Sequence, residues 1–387
     1  MPGRRCTGKE YLLAVSFYGK IPLPEELAAV EDCLRAGLMA SDGPYTARLR
    51  ALFCEQMGAF SLLPTPSATQ ALELACRLLS LRPGDEVILP SFNFPSAANA
   101  VLLAGGHPVL CDIDPDTQNL SVADAAGRVT SRTRAVIAVH YASVGCDMDA
   151  LSALAGEAGL SVIEDAAQAV DARWRERFLG TIGRLGAYSF HYTKNFSCGE
   201  GGALACGPQD AEQADILREK GTNRMQFMRG ECRRYTWVQP GTSALLSELC
   251  AAALVPQLEA RRQITGRRLA ILDAYQEALK PLEAKGVLRR MAIPVHARPN
   301  GHIVYVRFAT RSLRDQVQAG LRERQIDART HYVPLHLSPM GRSLGYRPKD
   351  LPQSAAAGET LLRLPIHPLM TPEDAYRAVE AIQEVIR

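Results

Sequence analysis

Short apolar runs alternate with stretches of helical spacing through the first half of the chain. Residues 45–57, "YTARLRALFCEQM", repeat apolar side chains every three or four positions and predict an amphipathic helix. In "TPSATQALELACRLLSL", Thr65 to Ser67 offer capping hydroxyls, and Ala68 to Leu81 have helical propensity that stops at "RPG". "DEVILP" predicts a short buried strand, "SAANAVLLAG" a helix, and "HPVLCDID" a strand. "SVADAAGRV" predicts a helix, "TRAVIAVH" a strand, "DALSALAGEAG" a helix and "LSVIEDAA" a strand. Two more strands, Ala187 to Phe190 and Gly201 to Cys206, enclose the segment that carries Lys194.

The strands are continuous apolar runs rather than strict alternators. That pattern predicts an α/β fold with a mostly parallel sheet covered on both faces. Ligands of such sheets bind beyond the carboxyl ends of the strands. Those ends carry Pro90 and Ser91, Asp112 and Asp114, His140, and Asp165 with Gln168. A long helical stretch spans roughly 243–282, where Pro256 and Gly266 are candidate bends or breaks. It hands the chain to a smaller C-terminal part with a strand "HIVYVRF", helices near 312–324 and 371–387, and "HYVPLH" at 331–336. The 387 residues exceed one typical core, so two domains are expected, a large one over 1–260 and a small one over 261–387.

Composition removes several function classes. Basic and acidic residues number 44 and 41, a net charge of +3, which makes no case for a nucleic-acid partner. The ten cysteines form no CxxC pair and no zinc spacing, and several sit in apolar runs. A reduced, cytoplasmic setting is expected. The first fifteen residues, "MPGRRCTGKEYLLAV", lack the apolar core of a signal peptide, and no run is long enough to predict a membrane span.

Lys194, in "YSFHYTKNFSCGEGGALAC", has three readings: a surface lysine, an anion ligand, or an amine that forms a Schiff base with an aldehyde cofactor. The last needs a held, partly desolvated side chain, and a turn between two core strands followed by glycines suits it. Asp165 follows buried aliphatics, where a carboxylate needs a partner. It reads as a helix cap, a buried ion pair, or the partner of a protonated heterocyclic nitrogen. Glu164 should face the other way along the strand. "PSATQAL" opens a helix whose first N–H groups, with Thr69, could hold a phosphate, and Ser189 could add a hydroxyl. One aromatic of "SFNFPSAAN" could lie on a planar ring, though Phe92 reads as core. GxGxxG after the first strand, a P-loop ending and a GxSxG elbow are all absent.

"PSATQAL", "PSFNFPSAANAVLLAGGHPVLCDID", "VHYASVGCDMDA", "VIEDAAQA", "GAYSFHYTKNFSCGEGGAL" and "HYVPLH" together resemble the DegT/DnrJ/EryC1/StrS sugar aminotransferase family, from about residue 16 to the C-terminus. The resemblance implies a fold type I (aspartate-aminotransferase-like) enzyme with a seven-stranded sheet. It also implies a pyridoxal 5'-phosphate cofactor and a homodimer with shared sites. By the same likeness Lys194 matches the Schiff-base lysine, Asp165 the partner of the ring nitrogen, and Gln168 a residue packed against the ring and its hydroxyl side. Phe94 matches the stacking aromatic, and Ala68, Thr69 and Ser189 match phosphate ligands. His191 matches a histidine near the substrate.

Many members carry GYNxR where this chain reads "GTSALLSELCAA". Ser243 stands where the asparagine reaches the neighbour's phosphate, and Leu245 replaces the arginine. A branch with histidine at the lysine position performs dehydration, so Lys194 implies transamination. "LREKGTNRMQFMRGECRRYTWVQPG" resembles a subgroup acting at C4 of dTDP-4-keto-6-deoxy-D-glucose, with L-glutamate as donor. The other readings are a 3-keto-sugar or keto-cyclitol aminotransferase, a cofactor-binding regulator, and a scaffold without turnover.

Overall fold

The computed structural model describes residues 15–387. The stretch read above for a signal peptide lies, through residue 14, outside the described residues.

Seven strands form the main sheet: β1 (Ser61–Thr65), β2 (Glu86–Pro90), β3 (His107–Cys111), β4 (Thr133–Val139), β5 (Ser161–Asp165), β8 (Leu185–Ser189) and β9 (Gly202–Cys206). Their spatial order is β1-β9-β8-β5-β4-β2-β3. Neighbours from β8 to β3 are parallel, and β9 runs antiparallel to both β8 and β1. The predicted α/β sheet, mostly parallel and seven-stranded, is therefore present. Its strands are buried on both faces because helices pack on each side, which is why they read as unbroken apolar runs.

Two ribbons complete the strands. β6 (Arg173–Trp174) pairs with β7 (Arg177–Phe178) and with β11 (Ala297–Arg298). β12 (Val304–Phe308) lies between β10 (Leu288–Arg290) and β13 (Leu361–Leu364). No described helix is long and apolar enough to cross a membrane.

The helix expected over 243–282 begins later and divides elsewhere. Ser247 caps Glu248–Glu259 by accepting the Cys250 N–H, so residues 243–247 stay extended or irregular. The break falls at Ala260, whose ψ of 7° interrupts the helical path before Arg261–Ala284 begins. Pro256 and Gly266 both lie inside helices. Strand β1 was not legible: "SLLPT" is short and carries a proline, yet it pairs along its length with β9.

Candidate active site

A cavity of about 600 Å³ opens at the carboxyl ends of β5 and β8 and takes in Ser67, Ala68, Thr69, Phe94, Asp165 and Lys194 among others. Its position is the one that sheet topology favours. Arg363 and Leu364 of β13, with His331 and Tyr332, also line it.

Lys194 sits in the loop between β8 and β9. The loop is closed at its base, where Ser189 pairs with Gly202 and the Phe190 N–H donates to the Gly201 carbonyl at 2.8 Å. Its turn is set by the Lys194 N–H donating to the His191 carbonyl at 2.9 Å. Further along, the Ser197 N–H donates to Gln257 Oε1 at 2.9 Å, and Gln257 Nε2 donates back to the Ser197 carbonyl at 2.7 Å. This buried pair fastens the lysine loop to the helix Glu248–Glu259. Burial lowers the Lys194 pKa to about 8; Asp165 opposes the shift and Arg363 adds to it. The lowered pKa leaves about a tenth of the amine neutral at pH 7, hundreds of times more than an ordinary lysine, and a nucleophilic amine needs that neutral form.

Asp165 ends β5 and is 7% exposed. The Ala167 N–H donates to Oδ1 at 3.2 Å, its single hydrogen bond from a described residue. Burial raises its pKa, while the Ala167 N–H and the Lys194 charge act the other way. Such a carboxylate is short of positive partners. Glu164 faces the opposite side of the sheet, as alternation requires. It is fully buried and accepts from the Gly180 N–H at 2.7 Å and from the Ile182 and Gly183 N–H groups at 2.6 Å each. His140 Nδ1 accepts the Cys146 N–H at 3.2 Å, which leaves its proton on Nε2, 2.9 Å from Glu164 Oε2.

The helix Ala68–Leu78 points its N-terminus into the cavity. Ser67 caps it by accepting the Gln70 N–H at 3.2 Å. The Ala68 and Thr69 N–H groups have no acceptor within the helix and remain available to an anion. The Thr69 hydroxyl lies 2.7 Å from Ser96 Oγ. Gly202 allows this approach: a Cβ there would come within 2.3 Å of Ala68 N. Ser189 also borders the cavity.

The other expected residues divide. Gln168 is held by the Ala142 N–H donating to Oε1 at 2.7 Å, and its Nε2 donates to Tyr332 Oη at 3.2 Å. Phe94 is 58% exposed at the cavity mouth, whereas Phe92 is buried, as its core reading required. His191 lines the cavity, with Nδ1 2.9 Å from Thr193 Oγ1 and Nε2 3.4 Å from Glu200 Oε1. Ser243 is exposed and does not line this chain's cavity.

Sequence reading missed Arg268, His302 and Arg363, all of which line the cavity. Arg363 had a signal, a charge inside the apolar run "LLRLP"; Arg268 and His302 had none, because they come close only through the packing of the C-terminal part. His331, stacked on Tyr332 at 3.7 Å, is held neutral by burial and by the Arg363 and Lys194 charges.

This donor set fits pyridoxal phosphate: a buried lysine amine with a lowered pKa, an under-partnered buried acid, and an open helix N-terminus with hydroxyls beside it. Among the described residues no group of three or more His, Cys, Asp or Glu is placed to hold a metal ion.

Comparison with known proteins agrees. The chain is 32% identical over 374 residues to the spore coat polysaccharide biosynthesis protein SpsC of Bacillus subtilis (strain 168), covering 94% of this chain and 95% of SpsC. Among solved structures it resembles DesV of S. venezuelae, with a TM-score of 0.85, 33% identity, and coverage of 94% and 95% of the two chains. It also resembles the aminotransferase TlmJ of Streptoalloteichus hindustanus, with a TM-score of 0.88, 29% identity, and coverage of 96% and 98%. Residues 23–383 match the DegT/DnrJ/EryC1/StrS aminotransferase family. The chain belongs to that family and is a pyridoxal-phosphate-dependent sugar aminotransferase.

Proposed function

We propose that the enzyme moves the amino group of L-glutamate to C4 of dTDP-4-keto-6-deoxy-D-glucose, giving the 4-amino-4,6-dideoxy sugar, in the gluco or galacto form, and 2-oxoglutarate. The supporting observation for the chemistry is the shared cavity of Lys194 and Asp165, with the helix N-terminus at Ala68 opening into it. The likeness of Leu217–Gly241 to the C4-acting subgroup supports the choice of sugar.

Bound pyridoxal phosphate supplies an electron sink conjugated to the carbon that bears the nitrogen. Asp165 would hold the proton of the ring nitrogen. The Ala68 and Thr69 N–H groups and the Thr69 and Ser189 hydroxyls would take the phosphate, and Gln168 and Phe94 would border the ring. Lys194 Nζ takes the proton from the α-carbon of glutamate in the first half of the cycle. In the second half it delivers a proton to C4 of the sugar, and the face it reaches sets gluco or galacto geometry.

The same reading makes the enzyme a homodimer. Phe227, Met228, Tyr235, Trp237 and Val238 are all exposed in this chain, and so is Ser243, whose expected phosphate contact needs a neighbour. It also divides the chain into a large cofactor domain, 1–260, and a small domain, 261–387; the helix break at Ala260 supports that boundary.

The test is one incubation of loaded enzyme with glutamate and the 4-keto sugar, followed by proton NMR. A large H3–H4 coupling marks the gluco product and a small one the galacto product. Turnover on a 3-keto isomer alone would remove the C4 assignment.

A further inference from the structure

Among the described residues five arginines are buried: Arg218, Arg261, Arg268, Arg314 and Arg363. Three have carboxylate partners. Arg218 pairs with Asp42 at 2.9 Å and Asp215 at 2.8 Å, Arg261 with Asp171 at 3.4 Å, and Arg314 with Asp315 at 2.7 Å. The remaining two, Arg268 and Arg363, have no carboxylate partner among the described residues, and both line the Lys194 cavity. A buried guanidinium without a counter-ion is costly, so a fold that pairs its other three leaves these two open for a reason.

Arg363 is the stronger case. It is 9% exposed, and its Nε is buried with no acceptor. Its side chain makes no hydrogen bond to a described residue. Its guanidinium lies over the Phe17 ring, 4.7 Å from its centre, a cation–π contact that does not neutralise the charge. Arg268 donates to the Gly301 and Ile366 carbonyls at 3.1 and 3.2 Å, and its Nε too lacks an acceptor.

We propose that Arg363 recognises the α-carboxylate of the amino donor, with Arg268 adding positive charge in the same cavity. The proposal rests on the glutamate-donor reading and deepens it. A guanidinium presents a planar fork that matches a carboxylate. The α-carboxylate is bonded to the carbon whose nitrogen is exchanged, so its receptor must stand close to Lys194. Arg363 does: it lines the same cavity as Lys194, and its charge adds to the lowering of the Lys194 pKa. The diphosphate of a nucleotide sugar is set off from C4 by the width of the sugar ring, and the cofactor phosphate is met by the helix N-terminus instead.

The experiment uses the loaded enzyme and the variants Arg363→Met and Arg363→Lys. Glutarate, an unreactive dicarboxylate, is titrated by calorimetry. Its affinity should fall about 10- to 100-fold in Arg363→Met and less in Arg363→Lys. Glutamate should outperform 4-aminobutanoate, which lacks the α-carboxylate, in wild type, and that preference should shrink by a similar factor in Arg363→Met. The pyridoxamine-phosphate form of each variant should consume the 4-keto sugar within about threefold of wild type. Unchanged glutarate binding would overturn the proposal. So would equal losses in both half-reactions, or a loss confined to the sugar half, which would assign Arg363 to the diphosphate. Cofactor content and circular dichroism identify a misfolded variant, and Arg363→Lys then carries the test. If wild type fails to react with glutamate, the donor reading fails, while glutarate binding still judges Arg363.

Discussion

Asp165 ends β5 and Lys194 lies in the loop leaving the adjacent parallel strand β8; each favours the charged form of the other while burial opposes both. The two form no ion pair, so both side chains stay open to the cavity that they share. Substituting either therefore changes the titration of its partner as well as the chemistry.

Lys194→Ala should reduce turnover by at least about 100-fold, the loss expected of a proton-transfer group. Cofactor should still associate through the helix N-terminus, but borohydride should trap no covalent adduct. Peptide mapping checks this; an adduct on another lysine would reassign the site.

Cofactor capture by the cofactor-free enzyme needs the neutral Lys194 amine. Its rate should rise with pH and level off above about 8, the lowered pKa of that amine. Stopped-flow absorbance across pH reports the midpoint.

Asp165→Asn removes the anion that raises the Lys194 pKa, so the same midpoint should move to lower pH. Turnover should fall by about 100-fold or more, because the ring-nitrogen proton loses its holder. A midpoint that stays fixed would show that the two residues do not interact through space.

Gly202→Ala should displace the start of the helix Ala68–Leu78, since the added Cβ would sit 2.3 Å from Ala68 N. We expect a loss of about 1–3 kcal/mol in stability and weaker binding of cofactor with its phosphate than of pyridoxal without it. Thermal denaturation and the two dissociation constants test this together.

Glu164→Ala should unfold the protein earlier without altering the site's chemistry. It strands three backbone N–H groups and the His140 Nε2–H in a fully buried position. The expected cost is about 3–5 kcal/mol, read as a lower denaturation midpoint.

The alternation of strands and helices was legible because burial on both faces makes a strand uniformly apolar, and because capping residues mark helix starts. Asp165, Gln168, Thr69 and Lys194 were legible because they follow such strands or open such a helix. β1 was hidden by a proline in a short run. The helix break at Ala260 was hidden because backbone torsion at an alanine leaves no compositional trace. Arg268 and His302 were hidden because no local rule distinguishes a cavity-lining side chain from an exposed one when its partners arrive from distant segments.

The lysine loop begins and ends at paired residues of two neighbouring antiparallel strands, and Gln257 holds its middle. Everything reactive in it is suspended from a frame that other residues build. A substitution at position 194 therefore leaves that frame in place, because none of its hydrogen bonds is made by the lysine side chain. The loop behaves as an exchangeable cartridge, in which new chemistry can be tried by mutation at small risk to the architecture that presents it.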